Sequence, residues 1–317
     1  MKKIEAAASA PKSGLTFFEK CKRQKVLIAM VAIPVIIKIL FAYLPLVGWT
    51  MAFQNFKPAK GLIFGQEWVG LEKFKFLFSD KVFITDIRNT LAMSLINLVL
   101  GFVTAIFLAL VLNEVKNMFF KKTIQTISYM PHFLSWVIVA GIVQNTLSTD
   151  SGIINDLLMR FGFIENKINF LGDPKYFWGI VGASNVWKEV GWNTIIYLAA
   201  MSSIDTSLYE AAAMDGAGRY NKMWHVTLPA IKSTFIILLI MNIGHILEAG
   251  FEVQYLLGTG PVADVSETID IFVLKYGLQK GDYGLATAAG IFKSAISIIL
   301  VFAANWISGK LGEEKLV

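Results

Sequence analysis

Residues Val26 to Gly48 form an apolar run of 23 residues broken by one charge, Lys38. At a helical rise of 1.5 Å per residue the run extends about 34 Å, enough to cross a hydrocarbon core of about 30 Å. A secretory signal is the competing reading. The run is too long for one, and no small-residue cleavage site follows Tyr43-Leu44-Pro45-Leu46-Val47. The pattern recurs: Asn89 to Asn113, Thr123 to Leu147, Pro229 to Gly250 and Gly284 to Ile307 also read as apolar spans, with Glu248 and Lys293 as ionisable groups inside the last two. Tyr176 to Met201 carries Lys188 and Glu189 at its middle, which opposite charge and a protein-lined interior can accommodate. With only 16% charged and 55% hydrophobic residues along 317 positions, the composition argues against a soluble globular enzyme and points to the bilayer as the solvent. The expectation is an all-α, polytopic membrane protein with six transmembrane helices, flanked by a basic tail (1–25) and a short C-terminal tail (308–317).

Six spans place both termini on one side. Segments that would lie inside with the N-terminus hold 14 Lys or Arg in 71 residues, against 11 in 101 for the opposite side. Positive charge favours the cytoplasm, so the charge pattern predicts N-in and C-in. The lone cysteine, Cys21, excludes a disulfide scaffold or a thiolate metal site within the chain. His132, His225 and His245 lack metal spacing and read as packing or hydrogen-bonding residues. No phosphate-cradle motif occurs. Gly216-Ala217-Gly218 and Gly258-Thr259-Gly260 are glycine pairs without the strand and helix that such a cradle needs.

The cytoplasmic stretch 207–229 carries the most local information. Ser207 and Glu210 have capping-box spacing, which predicts a short helix starting there. Ala211 to Ala213 favour helix and leave a thin face open to close approach, and Gly216 supplies a left-handed stop. Arg219 to Trp224 is expected to form a second short helix, with Pro229 in the first turn of the fifth span. The result is a helix-turn-helix elbow, either projecting from the membrane or packed on its own bundle.

Glu210-Ala211-Ala212, then Gly216, then Leu228-Pro229 nineteen positions after the glutamate, resemble the EAA signature of binding-protein-dependent ABC importer permeases. Val226 stands where that pattern commonly has isoleucine. Trp68-Val69-Gly70-Leu71-Glu72-Lys73-Phe74 is similar to an outer-loop segment of the maltose-type sugar permeases, as is Gly152-Ile153-Ile154-Asn155. Tyr43-Leu44-Pro45-Leu46 and Phe53-Gln54-Asn55-Phe56 resemble the branch that imports complex oligosaccharides.

The resemblance implies a non-catalytic membrane subunit whose elbow, between helices 4 and 5, docks on an ATPase. Glu210, Ala211, Ala212, Asp215, Gly216, Arg219, Leu228 and Pro229 would form the coupling site. The implied partners are a second homologous permease, two ABC ATPase subunits that bind ATP and Mg, and an extracellular lipid-anchored or periplasmic substrate-binding protein. A carbohydrate would be the cargo, the bacterial plasma membrane the location, and nucleic acid no partner; no cofactor or metal would sit in this chain. The residues themselves add a candidate path. Trp187, Glu189, Trp192, Asn193 and Asn242, with Asn185, offer indole faces for sugar rings and polar groups for hydroxyls. Alternatively Lys188 and Glu189 only hold helices together. A membrane enzyme would need convergent catalytic groups that are not visible. A stand-alone secondary transporter or channel would suit the intramembrane charges but not the elbow.

Overall fold

The computed structural model describes residues 23–61, 65–310 and 312. Cys21, most of the basic tail and most of the C-terminal tail lie outside them. Two units are distinguished, 1–50 and 51–317. In the first, α1 (Lys25–Lys38) continues through a wide turn at Ile39–Tyr43 into the 3₁₀ winding Leu44–Phe53. Lys25–Phe53 is one helical run of 29 residues, long and apolar enough to cross a membrane.

The second unit begins with a two-residue antiparallel ladder, β1 (Gln54–Asn55) against β2 (Glu67–Trp68). This ladder joins two of the segments singled out by sequence, and Val69 N–H extends it to the Phe53 carbonyl at 2.9 Å. Helix α2 (Glu72–Ser79) follows, and Asp80 caps α3 (Lys81–Glu114) by accepting from Val82 N–H. The cap starts the second span eight residues earlier than hydropathy placed it. At 34 residues, α3 is the longest helix among the described residues.

The run 123–147 is not one straight span. α4 (Met118–Tyr129) passes into a 3₁₀ turn containing Pro131, the chain extends at Leu134, and Ser135 caps α5 (Trp136–Leu147). The two helical pieces meet at 102°. Alone, the 12 residues of α5 rise only about 18 Å. Hydropathy does not show this break because the stretch as a whole stays apolar despite His132 and Ser135, whereas Pro131 and the Ser135 cap act on the backbone.

After α6 (Ile153–Arg160), α7 (Pro174–Ser202) runs 29 residues. Asn155 explains its Gly-x-x-Asn motif: its buried amide donates to the Ser148 and Ile168 carbonyls and accepts from Ile168 N–H, tying the loops on both sides of α6. The elbow comprises α8 (Thr206–Met214) and α9 (Arg219–Lys222). α9 continues through a π-turn, Met223–Thr227, to Ala230, then bends by 55° into α10 (Lys232–Gly244). Pro229 therefore lies inside a helical run. Lacking an N–H, it loosens the preceding turn, and the Leu228 N–H reaches back five residues to Met223. α10 ends at Gly244, short of the expected Gly250. α11 (Phe251–Leu257), α12 (Ile269–Val273) and α13 (Tyr283–Lys310) follow, with shorter helical turns between them.

Helices α3 and α7 form the spine of the unit. Small residues let them meet closely: Ala105 and Ala109 pack with Tyr197, Met201 and Ile231, and Thr194 Oγ1 donates to the Ala105 carbonyl at 3.2 Å. Gly191 is required where α7 crosses α4, since a Cβ there would sit 2.1 Å from the Ser128 carbonyl oxygen. At the other end Phe83, Phe272 and Phe292 pack edge to face, and Lys73 bridges to Asp282 at 2.9 Å, before α13.

Candidate functional site: a polar cavity above a helical elbow

A cavity of about 400 Å³ lies between α3, α7 and the end of α10. One face of α3 supplies Ser94, Asn97, Gly101 and Ala105, at helical spacings of three and four. One face of α7 supplies Asn185, Glu189, Asn193 and Tyr197, each four residues on. Asn242, His245 and Glu248 close the third side, and Trp136 and Phe102 add aromatic surface. Ser94 Oγ, Asn97 Oδ1 and Tyr197 Oη are buried without a hydrogen-bond partner. The lining thus presents amides, carboxylates and hydroxyls beside two aromatic rings, a chemistry suited to hydroxyl-rich cargo.

Glu189 is fixed on both oxygens. His132 Nδ1 lies 2.7 Å from Oε2, and Lys188 Nζ lies 2.9 Å from Oε1. Lys188 is buried, donates to the His132 carbonyl at 2.7 Å and faces the Trp136 ring at 5.4 Å. The two readings of this pair are therefore compatible: Lys188 and Glu189 bind the α4–α5 bend to α7, and Glu189 still lines the cavity. Across it, Glu248 pairs with His245 at 3.1 Å and Lys293 at 3.9 Å. Lys293 also binds Asp270 at 2.7 Å.

Glu189, Asn193 and Asn242 reach the cavity, and Trp187 and Trp192 do not. Position 187 points about 200° around the helix from 189, and both indoles are more than 40% exposed. Trp192 stacks flat on His132, 4.3 Å between centroids, and so backs the Glu189 network from outside. Ser94, Asn97, Trp136 and Tyr197 were not picked out from sequence. The three-residue spacing of Ser94 and Asn97 within an apolar span was an available signal; Trp136 gave none, because it arrives through the α4–α5 bend.

The elbow differs from the expected capping box. Asp205, not Ser207, is the cap, its Oδ1 accepting from Ser207 N–H at 2.9 Å. That hydrogen bond holds the Asp205 carboxyl below its ordinary value. Glu210 lies outside the box geometry, exposed on α8 beside Ala211 and Ala213, while Ala212 is half-buried. Gly216 has φ +79° and closes the helix, with Ala217 N–H bonding to the Ala212 carbonyl and Gly216 N–H to that of Ala213. Asp215 is exposed next to it. Two bonds tie the elbow to the bundle. Arg219 Nε meets Glu114 Oε2 at 2.9 Å, and Tyr209 Oη meets the buried Thr227 Oγ1 at 2.9 Å. Leu228 packs against the cluster of Ala105, Tyr197 and Ile231, whereas Pro229 is exposed. Tyr197 and Ala105 also floor the cavity, so one apolar cluster separates cavity from elbow.

Long apolar helices around a polar cavity, with a capped elbow packed beneath it, define a multi-pass membrane transport protein. Comparison with known proteins makes this specific. Residues 97–313 match the family of binding-protein-dependent transport system inner membrane components. The chain is 45% identical to the polygalacturonan/rhamnogalacturonan transport system permease protein YteP of Bacillus subtilis (strain 168), over 98% of both chains. It is 40% identical to Protein LplB of the same organism, over 99% of this chain and 98% of that one. Among solved structures it resembles a bacterial alginate ABC transporter in complex with alginate pentasaccharide-bound periplasmic protein. The TM-score is 0.87 with 38% identity, over 95% of this chain and 99% of that one. The chain belongs to the binding-protein-dependent transport system inner membrane component family and is a transport permease.

Proposed function

We propose that this chain is a permease subunit of an ATP-driven importer of a carbohydrate, an oligosaccharide, handed over by an extracellular binding protein. The observation that carries the proposal is the cavity: four asparagines, two glutamates, a serine and a tyrosine converge with Trp136 and Phe102 directly above the cluster that receives the elbow. Sugar rings offer C–H faces to aromatic rings and hydroxyls to amides and carboxylates. The saccharide names carried by the relatives support the same cargo class.

Under this reading the chain spans the bacterial plasma membrane six times with both termini inside. Counting each bent pair as one span gives five crossings, and α7, 29 residues long, is the sixth. A second homologous permease completes the path. Two ATPase subunits hold ATP and Mg, and this chain holds neither and performs no catalysis. Glu210, Ala211, Ala213 and Asp215 on the outer side of α8 meet the ATPase. Gly216 and the Asp205 cap keep α8 rigid, and Arg219 and Leu228 pass its motion to α3 and to the cavity floor.

The test is ATP-driven uptake of oligosaccharides into vesicles containing the permease co-expressed with its neighbouring transport subunits and supplied with binding protein. Saturable accumulation that needs ATP and binding protein supports the proposal. Accumulation by the chain alone, without ATP, would favour a stand-alone transporter or channel.

A further inference from the structure

We propose that the turn between α3 and α4 is a binding site for the headgroup of an anionic phospholipid. This inference rests on the orientation given above, which puts that turn at the cytoplasmic surface of the bilayer. Lys116, Lys121 and Lys122 flank the start of α4. Among the described residues they make no ion pair, because the nearby carboxylate of Glu114 is taken by Arg219 at 2.9 Å. Three uncompensated cations so close together favour an anionic partner.

Beside them Met118, Phe119 and Phe120 are exposed on the first turn, Phe119 by 82%. The Asn117 side chain accepts from both Phe119 and Phe120 N–H, which fixes this turn rather than leaving it to collapse. Farther along, beyond the exposed Lys122, Thr123 and Thr126, Ile127 on α4 and Met130 in the turn after it are exposed as well. Lysines and exposed aromatic rings side by side on one helical turn match a phospholipid that is anionic at one end and apolar at the other.

An independent observation on the side that the charge pattern assigns to the cytoplasm agrees. Lys310, at the end of α13, lies 3.9 Å from the centroid of the exposed Trp306 ring, the arrangement of a lysine stem snorkelling along an interfacial indole. The site borders the Arg219–Glu114 pair. Lipid charge that neutralises the lysines leaves Glu114 to Arg219, and so the headgroup supports the elbow's attachment.

The test uses the whole complex, exchanged into phosphatidylcholine with a minor share of phosphatidylglycerol and then stripped in detergent, with retained lipid identified by mass spectrometry. Three juxtamembrane lysines together raise affinity about a hundredfold. Wild type is therefore expected to retain phosphatidylglycerol far above its share in the mixture. The triple variant K116Q/K121Q/K122Q should fall to near that share with the complex intact, whereas K57Q/K60Q, far away in the chain, should behave as wild type. No enrichment in wild type, or equal enrichment in the triple variant, overturns the proposal. Loss of the ATPase subunit from the triple variant also overturns it, by placing these lysines against protein. Enrichment in a chain that brings no ATPase would sink the importer reading and leave this one standing.

Discussion

Arg219 Nε lies 2.9 Å from Glu114 Oε2, joining the first residue of α9 to the last residue of α3. The pair links the half of the elbow after Gly216 to the longest helix of the bundle. Under the proposed coupling, thrust applied to α8 would reach α3 by a route that bypasses the apolar cluster. The guanidinium is mostly exposed, so the bond stabilises the fold by less than about 1 kcal/mol.

Arg219→Ala and Glu114→Gln are each expected to reduce ATP-driven uptake by about fivefold at most, the factor that about 1 kcal/mol supports. Thermal stability should hardly change. The swapped double variant Arg219→Glu, Glu114→Arg should recover part of the uptake. Measuring all four proteins in one vesicle assay checks this, and losses that simply add would show that the two residues act separately.

Gly216 sits at φ +79° with nothing within 4 Å of the place a Cβ would occupy. Any penalty on substitution is therefore backbone strain and not a clash. Asn, which tolerates the left-handed region, should be mildest, Ala next at about 1 kcal/mol, and Val worst. Thermal unfolding in detergent together with uptake should rank the three variants in that order.

Asp205→Ala should uncap α8 and impair uptake, and Ser207→Ala should leave both helix and uptake near wild type, since Ser207 contributes its backbone N–H. The hydrogen bond lowers the folded-state value of Asp205. Its contribution is then complete above the ordinary carboxylate range and lost as pH falls through the lowered value. Vesicles with an acidic interior facing the elbow should lose coupling only below the ordinary carboxylate range, and the Asp205→Ala variant should show no such step.

In the cavity, Asn193→Ala, Asn242→Ala and Trp136→Ala are each expected to raise the half-saturating concentration of loaded binding protein or lower the maximal uptake, with the complex still assembled. Trp187→Ala should transport as wild type. Trp192→Ala should act through His132, and His132→Ala should match it. Equal losses at Trp187 and Asn193 would contradict this assignment of the wall.

The apolar runs made the membrane class legible, and the spacing of Glu210, Gly216 and Leu228-Pro229 located the elbow, because both signals depend on composition and local sequence. The bends at Leu134 and Ile231 were not legible, since each stretch stays apolar overall despite Ser135 and Lys232 and the backbone decides where the helix breaks. The choice of Asp205 over Ser207 as cap turned on a two-residue shift that two acceptable capping residues left open. For the cavity, Glu189, Asn193 and Asn242 followed from their polarity inside apolar spans. Trp187 and Trp192 misled because they flank the same charges in sequence while lying elsewhere around the helix.

The most direct measurement of the central claim is substrate-dependent ATP hydrolysis by the reconstituted complex, comparing wild type with the double variant Glu210→Ala, Gly216→Val. If the elbow transmits ATPase motion to the cavity, loaded binding protein stimulates hydrolysis and drives uptake in wild type, and the double variant, inserted in the membrane at equal amount, loses both. Full stimulation and uptake in the double variant would contradict the account.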